Sequence, residues 1–199
     1  MKQLLENLKR TMARAVGVQQ EQQPESRASR RILFVCMGNI CRSPTAEGVF
    51  RKLLAERAPE LGVEIDSAGT HGFHDGAPPD PRACRAAERR GVDLKPLRAR
   101  RVTERDFERF ELVLAMDEQN LEFLLEACPA EHRSRVRLLL EFAPHLERRE
   151  VPDPYYGGGP GFEHVLDLVE EAAAGLLEYL RNTPPPPPGG PAEAASDGR

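Results

Sequence analysis

No stretch of this chain approaches the roughly 18–20 apolar residues that a membrane-spanning helix needs. The N-terminus begins Met-Lys, and Glu6, Lys9, Arg10 and Arg14 interrupt any apolar core of the kind a secretory signal requires. Without export the expected compartment is the cytoplasm, where structural disulfides are rare. Cysteine is scarce: Cys36, Cys41, Cys84 and Cys128 lack the paired spacing of a zinc site, so all four are expected as free thiols. A basic excess is also missing. The net charge is −4, which argues against nucleic acid as a partner. What is present is the composition of an ordinary globular protein, 40% hydrophobic and 30% charged over 199 residues. That supports one domain with tails.

Residues 1–30 read as an N-terminal extension, in part helical. Leu4, Leu5, Leu8, Met12 and Val16 form a ragged apolar stripe, and Lys2, Lys9, Arg10 and Arg14 make the remainder basic. A helix lying on a membrane surface or a partner is one reading. A short helix that frays or packs on the domain is the one the pattern favours over membrane association. Gln19 to Arg30 reads as a polar linker. At the other end, residues 183–199 contain the proline run Pro184 to Pro188, then Gly189 and Gly190, and read as a disordered tail.

Between these ends, residues 31–182 alternate strand and helix signals. Ile32 to Val35 is a short apolar run, as in a fully buried strand, and Ser43-Pro44 suits a helix start with Ser43 as the N-cap. Val49, Leu53 and Leu54 continue as the buried face of that helix. Further strands are expected at Val63 to Ile65, Leu112 to Ala115 and Val136 to Leu140. Helices are expected from Pro81 to Gly91, around Leu121, Leu124 and Leu125, and from Phe162 to Leu180. Such alternation predicts a doubly wound α/β fold, a parallel sheet with helices on both faces. Ligands then bind beyond the carboxyl ends of the strands, which directs attention to Val35-Cys36.

The segment there reads Cys36-Met37-Gly38-Asn39-Ile40-Cys41-Arg42-Ser43-Pro44. Gly38 and Asn39 tolerate the left-handed backbone of a tight loop. A loop of this kind turns backbone N–H groups of residues 37–43 inward as an anion nest, and the following helix N-terminus adds its positive end. The same fields favour a thiolate at Cys36, with Ser43 as a hydrogen-bond donor to the sulfur. Arg42 offers a planar fork for two phosphate oxygens. The bland alternative is a buried cysteine and a surface arginine at an ordinary strand–helix turn, and the combined pattern outweighs it. A phosphate ester also needs an acid for its leaving oxygen. Asp153 is held between Pro152 and Pro154, with Tyr155 and Tyr156 following as aromatic faces for a substrate slot. His71 and His74 near Asp75 have no third ligand nearby, so no metal is expected. The arginines Arg82, Arg85, Arg89, Arg90, Arg98, Arg100 and Arg101 alternate with acids, which favours a solvated helical face over a basic rim.

These two motifs, with Asp66-Ser67-Ala68-Gly69 and Ala115-Met116-Asp117, resemble the low-molecular-weight protein tyrosine phosphatases over Arg31 to Leu180. The resemblance implies a sheet of four parallel strands and a cysteine-dependent phosphoric monoester hydrolase without a cofactor. Residue by residue, it implies Cys36 as nucleophile, Arg42 as the phosphate-binding arginine and Asp153 as general acid. Asn39 would hold the loop, Ser43 would serve the thiolate, and Ser67 would bond the asparagine from behind. Phe73, Tyr155 and Tyr156 would line the cleft. Cys41 matches a cysteine that, in the family, forms a reversible disulfide with the nucleophile. Leu97 stands where many members carry a histidine that bonds the loop. The implied partner is a phosphotyrosine-containing protein, a bacterial tyrosine kinase being one candidate. Phosphoarginine phosphatase is the nearer alternative and arsenate reductase the more remote. The former tends to carry threonine at the position of Ile40 and lacks the paired tyrosines. The latter passes electrons through further cysteines, and Cys84 and Cys128 are not closely paired.

Overall fold

The computed structural model describes residues 30–185. The reading of residues 1–29 as a partly helical extension, and that of the tail from residue 186 onward, lie outside the described residues. Four strands, β1 (Arg31–Cys36), β2 (Glu64–Gly69), β3 (Leu112–Ala115) and β4 (Val136–Leu138), form one parallel sheet in the order β2-β1-β3-β4. Among the described residues five α-helices accompany them: α1 (Arg42–Arg57), α2 (Pro81–Arg89), α3 (Glu104–Arg109), α4 (Glu118–Ala127) and α5 (Gly159–Asn182).

The alternation of side chains along β1 builds two cores. Ile32, Phe34 and Cys36 face a cluster with Val49 and Phe50 of α1, Ala86 and Ala87 of α2, and Val165, Val169 and Leu176 of α5. Leu33 and Val35 face the opposite cluster, with Phe107 of α3 and Leu124 of α4. A strand buried on both faces explains why its sequence is a continuous apolar run rather than an alternating one. The sheet is therefore doubly wound. The chain moves from β1 outward to β2, then crosses to β3 on the other side of β1. The crevice at this reversal lies between the carboxyl ends of β1 and β3.

Several boundaries differ from the sequence reading. The second strand runs on through Asp66, Ser67, Ala68 and Gly69, because Ser67 is buried with its hydroxyl fully paired and so does not behave as a surface residue. The fourth strand stops at Leu138. Leu139 and Leu140 enter a 3₁₀ turn that buries both by a different route. The short helix α3 was absent from the pattern. It is stabilised locally, Asp106 Oδ2 accepting from the Thr103 N–H at 2.7 Å and from Thr103 Oγ1 at 3.0 Å. Helix α1 begins at Arg42 after Cys41, so Ser43 is not its N-cap. Arg30, read as the end of a linker, is buried, and donates to Glu111 and to the carbonyls of Leu180 and Thr183. Among the described residues no helix is long and apolar enough to cross a membrane.

Candidate active site

Beyond the end of β1 lies a cleft of about 370 Å³. Cys36 forms part of its lining, with Met37, Gly38, Ile40, Cys41 and Arg42 from the loop. Asp153, Tyr155, Tyr156 and Phe73 close in from two other segments. Residues far apart in sequence are thus gathered where the sheet topology places a ligand.

The loop is wound around the Cys36 sulfur. The Asn39 N–H donates to Sγ at 3.3 Å, and Ser43 Oγ lies 3.1 Å from it. Asn39 is one of two non-glycine residues with positive φ among the described residues, at 54°. That turn sends its side chain behind the loop, away from the cleft. There Nδ2 donates to Ser43 Oγ and to Ser67 Oγ, both at 2.9 Å, and Oδ1 accepts from the Arg100 N–H at 2.9 Å. The asparagine side-chain oxygen is therefore satisfied by a backbone group, although the Leu97 side chain can supply no hydrogen bond. Asn39 and Ser43 are both buried and do not line the cleft.

Ser67 in turn donates to Glu47 at 2.6 Å. Glu47 is a buried carboxylate on α1 that also accepts from Arg51 at 2.6 Å. Burial raises its pKa above the usual carboxylate range, and the Ser67 hydroxyl and the Arg51 guanidinium oppose that rise. Nothing in the local pattern marks Glu47, because a glutamate on a helix ordinarily faces water. Only its spacing of four residues from Ser43 hints at a shared face.

Arg42 is 2% exposed. Its Nη1 donates to the Asp117 carboxylate and to the Val151 carbonyl at 3.1 Å, and its Nη2 lies 3.5 Å from Asp153 Oδ2. Burial disfavours its charge, yet the Cys36 sulfur, Asp117 and Asp153 outweigh this and raise its pKa. Asp117 also caps α4, accepting from the Asn120 N–H at 2.7 Å. It is thus tied down on both oxygens, whereas Asp153 has one oxygen on the Tyr155 N–H at 3.1 Å and a partly exposed side chain. Cys41 lies beside Cys36 in the cleft wall. Burial, then the charges of Asp80, Cys36 and Asp153, push its thiol up to about 12.

The walls are aromatic. Tyr155 and Tyr156 meet edge to face with centroids 5.1 Å apart. Phe73 is 81% exposed and stacks on His71 at 5.3 Å. His74, read only as a loop residue, lines the cleft against Gly38. Of the arginines expected on a solvated face, Arg90 pairs with Glu163, Asp167 and Glu170 of α5, and Arg100 with Asp66 and Asp106. They join elements rather than line a free rim. Cys84 on α2 donates to the Pro79 carbonyl, and Cys128 is buried in the core on the opposite sheet face from Cys36. Among the described residues no group of three His, Cys, Asp or Glu side chains is arranged to hold a metal ion.

A family model described as low molecular weight phosphotyrosine protein phosphatase matches residues 31–184. A low molecular weight protein-tyrosine-phosphatase of Streptomyces coelicolor is 44% identical over 154 residues, 76% of this chain and 93% of that protein. The crystal structure of a protein tyrosine phosphatase from Entamoeba histolytica, with Hepes in its active site, superposes with a TM-score of 0.73 at 38% identity. It covers 77% of this chain and 97% of that one. The crystal structure of YfkJ from Bacillus subtilis gives 0.72 at 36% identity, with 77% and 95% covered. The chain belongs to the low molecular weight phosphotyrosine protein phosphatases, a family of hydrolases.

Proposed function

We propose that the protein hydrolyses phosphotyrosine in proteins through a phosphocysteine formed on Cys36. The observation that carries this is a buried sulfur in a cleft lined by the loop residues Met37, Gly38, Ile40 and Cys41, with Arg42, Asp153 and both tyrosines on the same cleft. The Cys36 thiolate attacks phosphorus, forming the S–P bond as the P–O bond to the tyrosyl oxygen breaks. Ser43 has one hydroxyl hydrogen and two acceptors in reach, the Ala68 carbonyl at 3.2 Å and the Cys36 sulfur at 3.1 Å. A charged sulfur is the stronger acceptor, so the hydroxyl turns to it when the thiolate is present. Arg42 binds two phosphoryl oxygens, and Asp117 holds the guanidinium in place for this. Asp153 gives a proton to the departing phenolate, then takes one from the water that cleaves the S–P bond.

Asp153 suits this role better than Asp117, because Asp117 is hydrogen-bonded on both oxygens, whereas Asp153 Oδ2 has only its 3.5 Å approach to Arg42 and its side chain is the more exposed of the two. The aromatic walls favour a phosphate ester of tyrosine over phosphoarginine. Arsenate reduction gains nothing from Cys128, which sits on the other side of the sheet. The tyrosine-phosphorylated tail of a bacterial tyrosine kinase is the partner class we propose, in the cytoplasm.

Cys36→Ser should abolish turnover of phosphotyrosine peptide while retaining inhibition or binding by inorganic phosphate, because loop amides and Arg42 bind the anion. Retained turnover in a preparation free of other phosphatases would sink the mechanism. Arg42→Ala should lose both binding and rate.

A further inference from the structure

Arg82 opens α2 within Asp80-Pro81-Arg82. Its Nη1 donates to the carbonyl oxygens of Tyr155 at 3.0 Å and Gly157 at 3.3 Å. These carbonyls lie two and four residues beyond Asp153. The other edge of the guanidinium is clamped by Asp80, Nε to Oδ1 at 3.1 Å and Nη2 to Oδ2 at 2.8 Å. The guanidinium carbon lies 4.8 Å from the centroid of the Phe162 ring and 5.5 Å from that of Tyr155. Asp80 is itself anchored to the phosphate loop, its N–H donating to the Ile40 carbonyl at 2.7 Å. An unbroken path of hydrogen bonds thus runs from the loop around Cys36, through Asp80 and Arg82, to the segment that carries Asp153.

Apart from the buried Pro154 and the 3.5 Å approach of Asp153 to Arg42, that segment has few anchors. Among the described residues, Arg82 is the one side chain from outside residues 153–158 that hydrogen-bonds to their backbone. The glycines that follow have few neighbours: a Cβ at Gly159 would meet nothing within 4 Å. We propose that Arg82 is a positioning residue which holds Asp153 at the correct distance from the leaving oxygen. The role rests on the reading of Asp153 as the general acid. It requires the planar fork, since a single ammonium reaches one carbonyl without also spanning the Asp80 carboxylate. Arg82 does not line the cleft and has no hydrogen bond to Cys36 or Arg42, so anion binding should survive its loss.

Phosphoenzyme formation is measured in single turnover with phosphotyrosine, a poor leaving group, and with nitrophenyl phosphate, a good one. The proteins compared are wild type, Arg82→Leu, Arg82→Lys, Asp153→Ala and the Arg82→Leu/Asp153→Ala double variant. A displacement of about 1 Å in a catalytic group costs on the order of 10²-fold. Arg82→Leu, which keeps an apolar stem against Phe162, should therefore slow phosphotyrosine by about 10–100-fold. It should slow nitrophenyl phosphate much less and leave inhibition by inorganic phosphate unchanged. Arg82→Lys should fall between Arg82→Leu and wild type, and carries the same test if Arg82→Leu does not fold. In the Asp153→Ala background Arg82→Leu should add no further loss, because the two act through one proton transfer. Equal slowing of both substrates by the Arg82 variants, or additive losses in the double variant, would overturn the positioning role while leaving Asp153 as the acid. An Asp153→Ala variant that slows both substrates equally would overturn the acid assignment, and this proposal with it.

Discussion

Gly69 ends β2 directly beside Cys36 in the sheet register, and its N–H and C=O are both paired, with Arg100 and Val102. A methyl group added there would lie 2.8 Å from the Met37 carbonyl oxygen, 2.9 Å from the His71 carbonyl oxygen and 3.2 Å from the Gly38 carbonyl carbon. Ordinary contact begins at 3.4 Å, so the closest approach is about 0.6 Å too short. All three atoms are backbone, and no change of rotamer relieves them. Either β2 or the loop around Cys36 must move by about half an ångström. In a tightly packed site this costs about 1–3 kcal/mol of stability. If a 1 Å misplacement costs on the order of 10²-fold in rate, half of that costs about tenfold. Gly69→Ala should therefore lose about tenfold in kcat/KM for phosphotyrosine peptide, weaken inhibition by phosphate, and unfold at lower urea. Gly159→Ala, in open space at the start of α5, should do none of the three. Wild-type turnover and phosphate inhibition in Gly69→Ala would show that the loop's backbone position does not set the chemistry.

Two other outcomes follow from the buried groups. Peroxide should convert Cys36 to a sulfenic acid, and attack by Cys41 should expel water and leave a disulfide that thiols reopen. Recovery of activity should be far lower in Cys41→Ser, and wild-type recovery should improve at higher pH, since a thiol held near 12 must ionise to attack. Equal recovery of the two proteins would remove the protective role and leave Cys41 as a small residue filling the loop wall. Glu47 has a folded pKa raised chiefly by burial, so folding favours its protonated form. Its contribution is full below the unfolded carboxylate value and is lost as pH rises through the folded one. Between pH 7 and about 4.5 the wild type should gain urea stability relative to Glu47→Gln. Parallel pH profiles would mean that Ser67 and Arg51 fully offset the burial.

The sequence by itself was enough for the first strand, the loop from Cys36 to Pro44, and the alternation that makes a doubly wound sheet. These are short-range signals: a continuous apolar run, an asparagine where φ turns positive, and strand and helix periods that differ; Gly38, expected to be left-handed as well, is not, and a Cβ there would instead crowd His74. Asp153 and the tyrosines after it were legible for the same reason, since flanking prolines and aromatic pairs are local chemistry. Their meeting with Cys36 in one cleft was not local, and depended on the strand order placing the ends of β1 and β3 side by side. Polar residues that act through distant partners left the weakest marks. Glu47 and Arg82 resemble surface residues in a linear reading, and Ser67 stood out only through the family resemblance, yet each is defined by a bond across 20 to 73 positions. Leu97 illustrates the converse. Its side chain offers Asn39 nothing, and the backbone N–H of Arg100 satisfies the side-chain oxygen instead. A backbone group is available at every position whatever the side chain, so only the tertiary fold, by choosing which N–H faces Asn39, could decide that the loop is held.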